Sequence, residues 1–325
     1  MNRKKRVLIT GGSGRLGEFI INKLKDDYHI SVMDIRKPEG LSVNFIKCDI
    51  TDLEGLKKAT ENIDIIIHLA ALMCERIIPT YPKGWDVNCT GTFNIFEAAV
   101  ANNIEKVVYA SSICATGIIT WVSSKHSIEY FPVDEEHPCK PEDLYGTSKL
   151  VAEKLAWMYS KRSDTIFIGF RIATVWFKSD EGIAKTTEGM VNKYIKDPTA
   201  FLNLDPSPDE KRSIYKVKDP RAASKDLTWQ YVDARDVAQA FKLSLEKSDI
   251  KCEVYNIGAG NTPTNWDSIK LAKYFYPGVP ILDALSFLVD KKRPLWDITK
   301  AQKELGYRPE YSWEEYINGC NPKSK

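Results

Sequence analysis

The sequence predicts an α/β chain built on a doubly wound parallel sheet, and three observations carry that expectation. Short β-branched runs alternate with helical patterns through the first half, a glycine cluster separates the first run from the first helix, and an acidic residue ends the second run. The runs are Arg6 to Thr10, Ile30 to Asp34, Val43 to Lys47, Ile63 to Ile67, Lys106 to Ala110 and Ile166 to Phe170. Continuous apolar runs of this length suit strands covered on both faces, and their alternation with helices implies parallel crossovers. Ligands on such sheets bind at the carboxyl ends of the strands, so the residues just after each run are the candidates for function.

Beyond Ala173 the pattern loosens, and 197–226 is rich in Pro, Asp, Lys and Ser, as expected of a binding loop or a partly disordered segment. Regular structure resumes near Trp229, with a helix over Asp236 to Leu245, a strand over Val254 to Gly258, and a helix over Asp297 to Leu305 stopped by Gly306. A chain of 325 residues exceeds what one core usually supports. The expected division is a sheet domain over 1–175, to which 229–258 returns, and a smaller C-terminal lobe made of 176–228 and 259–325.

Lys+Arg at 46 nearly balance Asp+Glu at 44, so a net charge of +2 gives no basis for a nucleic-acid partner. No apolar stretch approaches the roughly 20 residues that span a bilayer. The first strand starts almost at Met1, which predicts no secretory signal and a cytoplasmic location. Seven scattered cysteines without a CxxC pair are expected to be reduced thiols, and with only four histidines no metal site is expected.

Thr10-Gly11-Gly12-Ser13-Gly14-Arg15-Leu16-Gly17 lies between the first strand and an amphipathic segment over Glu18 to Lys25. Glycines there let the backbone approach a pyrophosphate, while amides at the helix start supply donors. Asp34, about 20 residues on, can accept from adenosine ribose hydroxyls. Its charge repels a 2′-phosphate and so favours NAD over NADP, an effect opposed by Arg15 and Arg36. Cys48-Asp49-Ile50 and His68-Leu69-Ala70-Ala71 end the next two strands at the same sheet edge.

Tyr145-Gly-Thr-Ser-Lys149 opens a helical segment and sets Tyr145 and Lys149 one turn apart on one face. A phenol with an ordinary pKa of about 10 becomes a usable base beside an ammonium, which stabilises the phenolate. Ser111-Ser112 at the end of the fifth strand offers hydroxyls for a substrate oxygen. Among the weaker features, Cys114 reads as a packing residue, and Trp121, Tyr130 and Phe131 read either as a lid or as anchors of a loop.

With these motifs in order, the chain resembles the extended short-chain dehydrogenase/reductases of the NAD-dependent epimerase/dehydratase group. The resemblance runs from TGGSGRLG through CDITD, HLAA, Asn88-Cys-Thr-Gly-Thr92, YASS, YGTSK, Tyr231-Val-Asp-Ala-Arg-Asp236 and Asn256-Ile-Gly258 to Lys300-Ala-Gln-Lys-Glu-Leu-Gly-Tyr307. It implies a Rossmann-like fold, Tyr145 as acid/base, Lys149 as its partner and Ser112 as donor to the substrate oxygen. It implies an NAD site at Gly11, Gly14, Arg15, Leu16, Gly17, Asp34, Ile35, Arg36, Asp49, Ile50, Leu69, Ala70, Ala71, Asn88, Ser111, Tyr145, Lys149 and Ile172. Substrate contacts are implied at Cys74, Arg76, Ser112, Ile113, Cys114 and Trp176, and a homodimer through helices beginning near Trp85 and Tyr145.

Two enzyme classes share this apparatus, a dehydrogenase that releases reduced cofactor and a nucleotide-sugar epimerase or dehydratase that keeps it. A dinucleotide-sensing regulator is disfavoured because Tyr145 and Lys149 are both present. Two departures from the nucleotide-sugar pattern favour a free sugar or small sugar derivative. Thr228-Trp229-Gln230 stands where such enzymes place an arginine, and Arg171-Ile172-Ala173-Thr174-Val175-Trp176 lacks their asparagine. Lys291, Lys292 and Arg293 remain as phosphate partners.

Overall fold

The computed structural model describes residues 3–73, 78–119, 128–177, 230–262 and 266–314. Strand β1 (Arg6–Thr10) is followed by α1 (Arg15–Leu24), β2 (His29–Asp34), β3 (Asn44–Lys47), α2 (Leu53–Ala59), β4 (Ile65–His68) and α3 (Tyr81–Trp85). A π-helical turn (Asp86–Thr90) leads into α4 (Gly91–Ala101), then β5 (Lys106–Ser112), a 3-10 turn (Ile113–Thr116), α5 (Leu144–Ser160), β6 (Ile166–Ile172) and β7 (Thr174–Trp176). The later elements are β8 (Tyr231–Asp233), α6 (Ala234–Glu246), β9 (Cys252–Ile257), α7 (Ser268–Phe275), α8 (Ala284–Val289) and α9 (Thr299–Glu304). Helix α1 begins at Arg15 rather than Glu18 because Gly14 sits extended at its N-cap and the next residues turn at once.

Seven strands form one parallel sheet in the order β3-β2-β1-β4-β5-β6-β9. The order reverses beside β1, whose neighbours are β2 and β4, and a crevice at such a switch point is where a dinucleotide is accommodated. The chain divides into two compact units. The first takes its described residues from 1–115, 144–171 and 238–255, and the second from 116–143, 172–237 and 256–325.

In the first unit, the strand runs are apolar on both faces because helices cover both. Leu8, Ile66, Val107 and Phe167 pack with Ile95, Phe96, Ala152, Ala156 and Tyr159 from α4 and α5. Phe96 meets Tyr109, Tyr159 and Phe167 edge-on at centroid separations of 5.5, 6.0 and 5.0 Å, the orientation that aromatic quadrupoles favour. Lys106, buried at the start of β5, caps α6. Its Nζ donates to the carbonyls of Ser244 and Leu245, each at 2.8 Å, and of Lys247. Burial lowers its pKa to about 8, against the helix-end carbonyls, which favour the ammonium.

In the second unit, β7 and β8 pair in parallel, and Trp176, Tyr231, Ala259 and Trp313 form a small core. Tyr231 Oη donates to Asn261 and accepts from the Trp313 amide. The buried Asp236 carboxylate accepts from the amides of Glu310 and Tyr311, and burial raises its pKa to about 7. Tyr130 and Phe131 are anchors here. Tyr130 Oη donates to Asp134 at 2.7 Å, and Phe131 is fully buried against Tyr276. Trp121 and the 197–226 stretch lie outside the described residues, as do Cys74, Arg76, Thr228 and Trp229.

Candidate active site

The ends of β1, β2 and β4 converge around the glycine loop. Gly11 adopts φ +69°, and a Cβ there would meet the Ala70 amide nitrogen at 2.5 Å, so only glycine lets the loop lie against the segment after β4. A Cβ on Gly14 would touch only the Gly11 carbonyl, at 3.2 Å, and as the N-cap of α1 Gly14 has no side chain to cap the first turn. The Asp34 carboxylate accepts from the amides of Ser13 at 3.2 Å and Arg36 at 3.3 Å, which ties the acid to the loop. Ile35 and Arg36 are exposed beside it. A groove of about 780 Å³ runs along β2, β3 and α2, from Ile35, Cys48 and Asp49 to Arg6, Asn62 and Ile63. An uncapped helix start, a backbone approached without side chains and a carboxylate at the end of β2 fit a dinucleotide's pyrophosphate and ribose.

Behind the loop lies a buried polar chain. His68 Nδ1 is 2.7 Å from Thr10 Oγ1, and Nε2 is 3.1 Å from Thr92 Oγ1. Thr92 Oγ1 donates its own proton to the Asn88 carbonyl at 2.6 Å, so towards His68 it is an acceptor. His68 is therefore protonated on Nε2, and Nδ1 accepts from Thr10. Burial first, and then the charge of Lys149, lowers its pKa to about 3, which keeps the ring neutral. Asn88, in the π-helical turn, accepts from the Leu72 amide at 2.8 Å and donates to the Leu72 carbonyl at 3.0 Å, pinning the chain after Ala71. Its amide also reaches Ser148 Oγ at 3.3 Å, and Ser148 Oγ donates to the Tyr145 carbonyl.

Tyr145 and Lys149 stand in the first turns of α5, as their spacing predicts. Lys149 Nζ donates to the Ala110 carbonyl at 2.8 Å and lies 5.5 Å from the centroid of the Tyr145 ring. Burial lowers its pKa to about 8, so the ammonium prevails at neutral pH and is lost above that value. Ser112 Oγ accepts from the Cys114 amide at 3.1 Å, in the turn that also contains Ile113. Burial raises the thiol of Cys89, also near Lys149, to about 11 and so leaves it inert.

Ser111, a residue expected at the cofactor, donates its hydroxyl at 2.6 Å to Glu153 on α5. Glu153 in turn pairs with Arg171. Sequence reading missed Glu153 as a partner. The available signal was Arg171, a charge inside the apolar run Ile166–Ile172 that requires a buried carboxylate. In the second unit Trp176, expected at the substrate, stacks on Tyr231 at 4.4 Å inside the small core.

A sequence profile of the NAD dependent epimerase/dehydratase family matches residues 7–258, most of the chain. The protein belongs to that family. As a member, it is an NAD-dependent enzyme of the short-chain dehydrogenase/reductase type. It is similar to a putative UDP-glucose 4-epimerase of Methanocaldococcus jannaschii, 27% identical over 96% of this chain and 95% of the relative. It is also similar to an L-arabinose 1-dehydrogenase (NAD(P)(+)) of Haloferax volcanii, 28% identical over 59% of this chain and 75% of the relative. The fold matches that of a short-chain dehydrogenase/reductase superfamily protein from Agrobacterium tumefaciens solved with bound NAD. That match has a TM-score of 0.67 at 19% identity and covers 97% of this chain and 95% of the other. Among the described residues no helix is long and apolar enough to cross a membrane, and no cluster of His, Cys, Asp and Glu is arranged to hold a metal.

The neutral His68 makes the family site sensitive to acid. Its folded pKa of about 3 lies below the unfolded value of about 6.5, so as pH falls the unfolded chain binds the proton first and stability drops. Urea unfolding of wild type and His68→Gln checks this: the wild-type advantage shrinks by about 2 kcal/mol between pH 7 and pH 5.

Proposed function

We propose that this enzyme oxidises a carbinol of a free sugar or small sugar derivative, with Tyr145, Lys149 and Ser112 acting on the substrate oxygen. The observation that carries the catalytic part is the Lys149 ammonium, held by the Ala110 carbonyl one turn from Tyr145. Ser112 donates to the substrate hydroxyl oxygen, and the Tyr145 phenolate, favoured by the ammonium, takes the hydroxyl proton. Bound NAD supplies the hydride acceptor. The Gly11, Gly14, Arg15, Leu16 and Gly17 backbone would hold its pyrophosphate, Asp34 its adenosine ribose and Lys149 its nicotinamide ribose.

The free-sugar reading is supported by Arg293. Its guanidinium pairs with Asp283 at 2.8 Å and Asp297 at 3.1 Å and also meets Ser286, while Lys292 Nζ donates to the Trp266 carbonyl. Of Lys291, Lys292 and Arg293, the last two are thus engaged within the chain. Similarity to the arabinose dehydrogenase agrees with this reading. A nucleotide-sugar epimerase is the second reading, favoured by the nearly full-length match to the putative UDP-glucose 4-epimerase.

A homodimer belongs to the same proposal. Helices α4 and α5 pack together yet leave Phe93, Trp157 and Met158 exposed, which suits a second copy docking on this pair.

Four measurements check these readings. Tyr145→Phe is expected to lose at least ~10²-fold in turnover with NAD binding intact, and near-normal turnover rejects the assignment. Incubation of the protein and NAD with L-arabinose, D-glucuronate and UDP-glucose should reduce NAD with one of the two non-nucleotide sugars. A UDP-sugar stereoisomer formed without net NADH, or tight calorimetric binding of UDP, moves the epimerase reading first. Sedimentation should show a dimer that Trp157→Glu converts to monomer, and a monomeric wild type overturns the dimer.

A further inference from the structure

We propose that Glu153 and Arg171 are positioning residues, whose buried ion pair holds the helix bearing Tyr145 and Lys149 in register with the strand end bearing Ser112. The proposal rests on the catalytic reading above and deepens it.

Glu153 lies one turn beyond Lys149 and two beyond Tyr145, on the same side of α5. Its carboxylate is the meeting point of three elements. Oε1 accepts from Ser111 Oγ on β5 at 2.6 Å and from Arg171 Nε on β6 at 3.0 Å, and Oε2 accepts from Arg171 Nη2 at 2.8 Å. All three residues are more than nine-tenths buried. Ser111 is bonded covalently to Ser112, so the clamp lies one residue from the expected substrate donor on β5 and one helical turn from Lys149 on α5.

A buried ion pair is a poor device for stability, since removing two charges from water offsets most of their attraction, and an apolar pair of similar volume often serves as well. What the forked guanidinium–carboxylate contact adds is direction. Two parallel bonds fix both the rotation of α5 and its height over the sheet, whereas an apolar contact tolerates sliding. The Ala110–Lys149 bond is made at the end of the same strand, so a shift of α5 by a fraction of a turn would misplace Lys149 and Tyr145 together. Displacement of about 1 Å at a reacting group is worth on the order of 10²-fold in rate.

The test compares wild type, Tyr145→Phe, the paired variant Glu153→Met with Arg171→Met, Arg171→Lys and Ser111→Ala. Turnover is read on whichever of L-arabinose, D-glucuronate and UDP-glucose the wild type converts. NAD affinity is followed by fluorescence, thermal stability by melting, and motion by amide hydrogen exchange over 145–152. The paired variant is expected to melt within a few degrees of wild type and bind NAD within about 3-fold. It should lose at least ~10-fold in kcat with little change in KM and exchange faster over 145–152. Arg171→Lys, which keeps the charge but not the fork, should recover part of the loss. Wild-type kcat and exchange in the paired variant, with Tyr145→Phe inactive, overturn this proposal and leave the catalytic reading standing. Activity in Tyr145→Phe overturns both. If the paired variant does not fold, wild-type kcat and exchange in both Ser111→Ala and Arg171→Lys overturn the proposal.

Discussion

The positive charge buried at Lys149 is the constraint around which the first unit is arranged. An ammonium removed from water must be met by acceptors and spared other cations. The Ala110 carbonyl at the open end of β5 supplies the acceptor. His68, near enough to feel the charge, is kept neutral by burial and by a hydrogen-bonding pattern that leaves Nδ1 without a proton. Glu153, one turn away, is neutralised by Arg171. The charges therefore sort into a pair inside the sheet and a single ammonium facing Tyr145.

That arrangement depends on parallel strands ending together. Backbone carbonyls at the end of a strand leave the ladder and become acceptors for side chains, as Ala110 does for Lys149. The same edge receives the glycine loop, Asp34 and the Leu72 segment pinned by Asn88. The second unit solves a different problem. There the buried Asp236 carboxylate takes up the amides of Glu310 and Tyr311, and the half-buried Glu135 accepts from the Asn256 amide of β9, with burial raising both pKa values to about 7.

The local geometry of the candidate site was legible because it follows one-dimensional spacing. Tyr145 and Lys149 are separated by one helical turn, Gly11 to Gly17 span one strand-to-helix turn, and Asp34 ends the next strand. The alternation of apolar runs and helices likewise requires a doubly wound sheet. Contacts between distant segments were not legible. The Ser111 hydroxyl meets Glu153, 42 positions further along the chain. Trp176 stacks on Tyr231, from a distant segment. Arg293 looked like a phosphate ligand, yet two aspartates hold it.

By itself the sequence determined the family, the cofactor class and the local register of the helix that carries Tyr145 and Lys149, because each is set by residues a few positions apart on one element or one turn. Only the tertiary structure decided the protonation of His68, the partner of Arg171 and the acceptor of Lys149. These depend on which side chains from β1, β4, β5, β6 and the helices reach one another, and on how completely water is excluded where they meet.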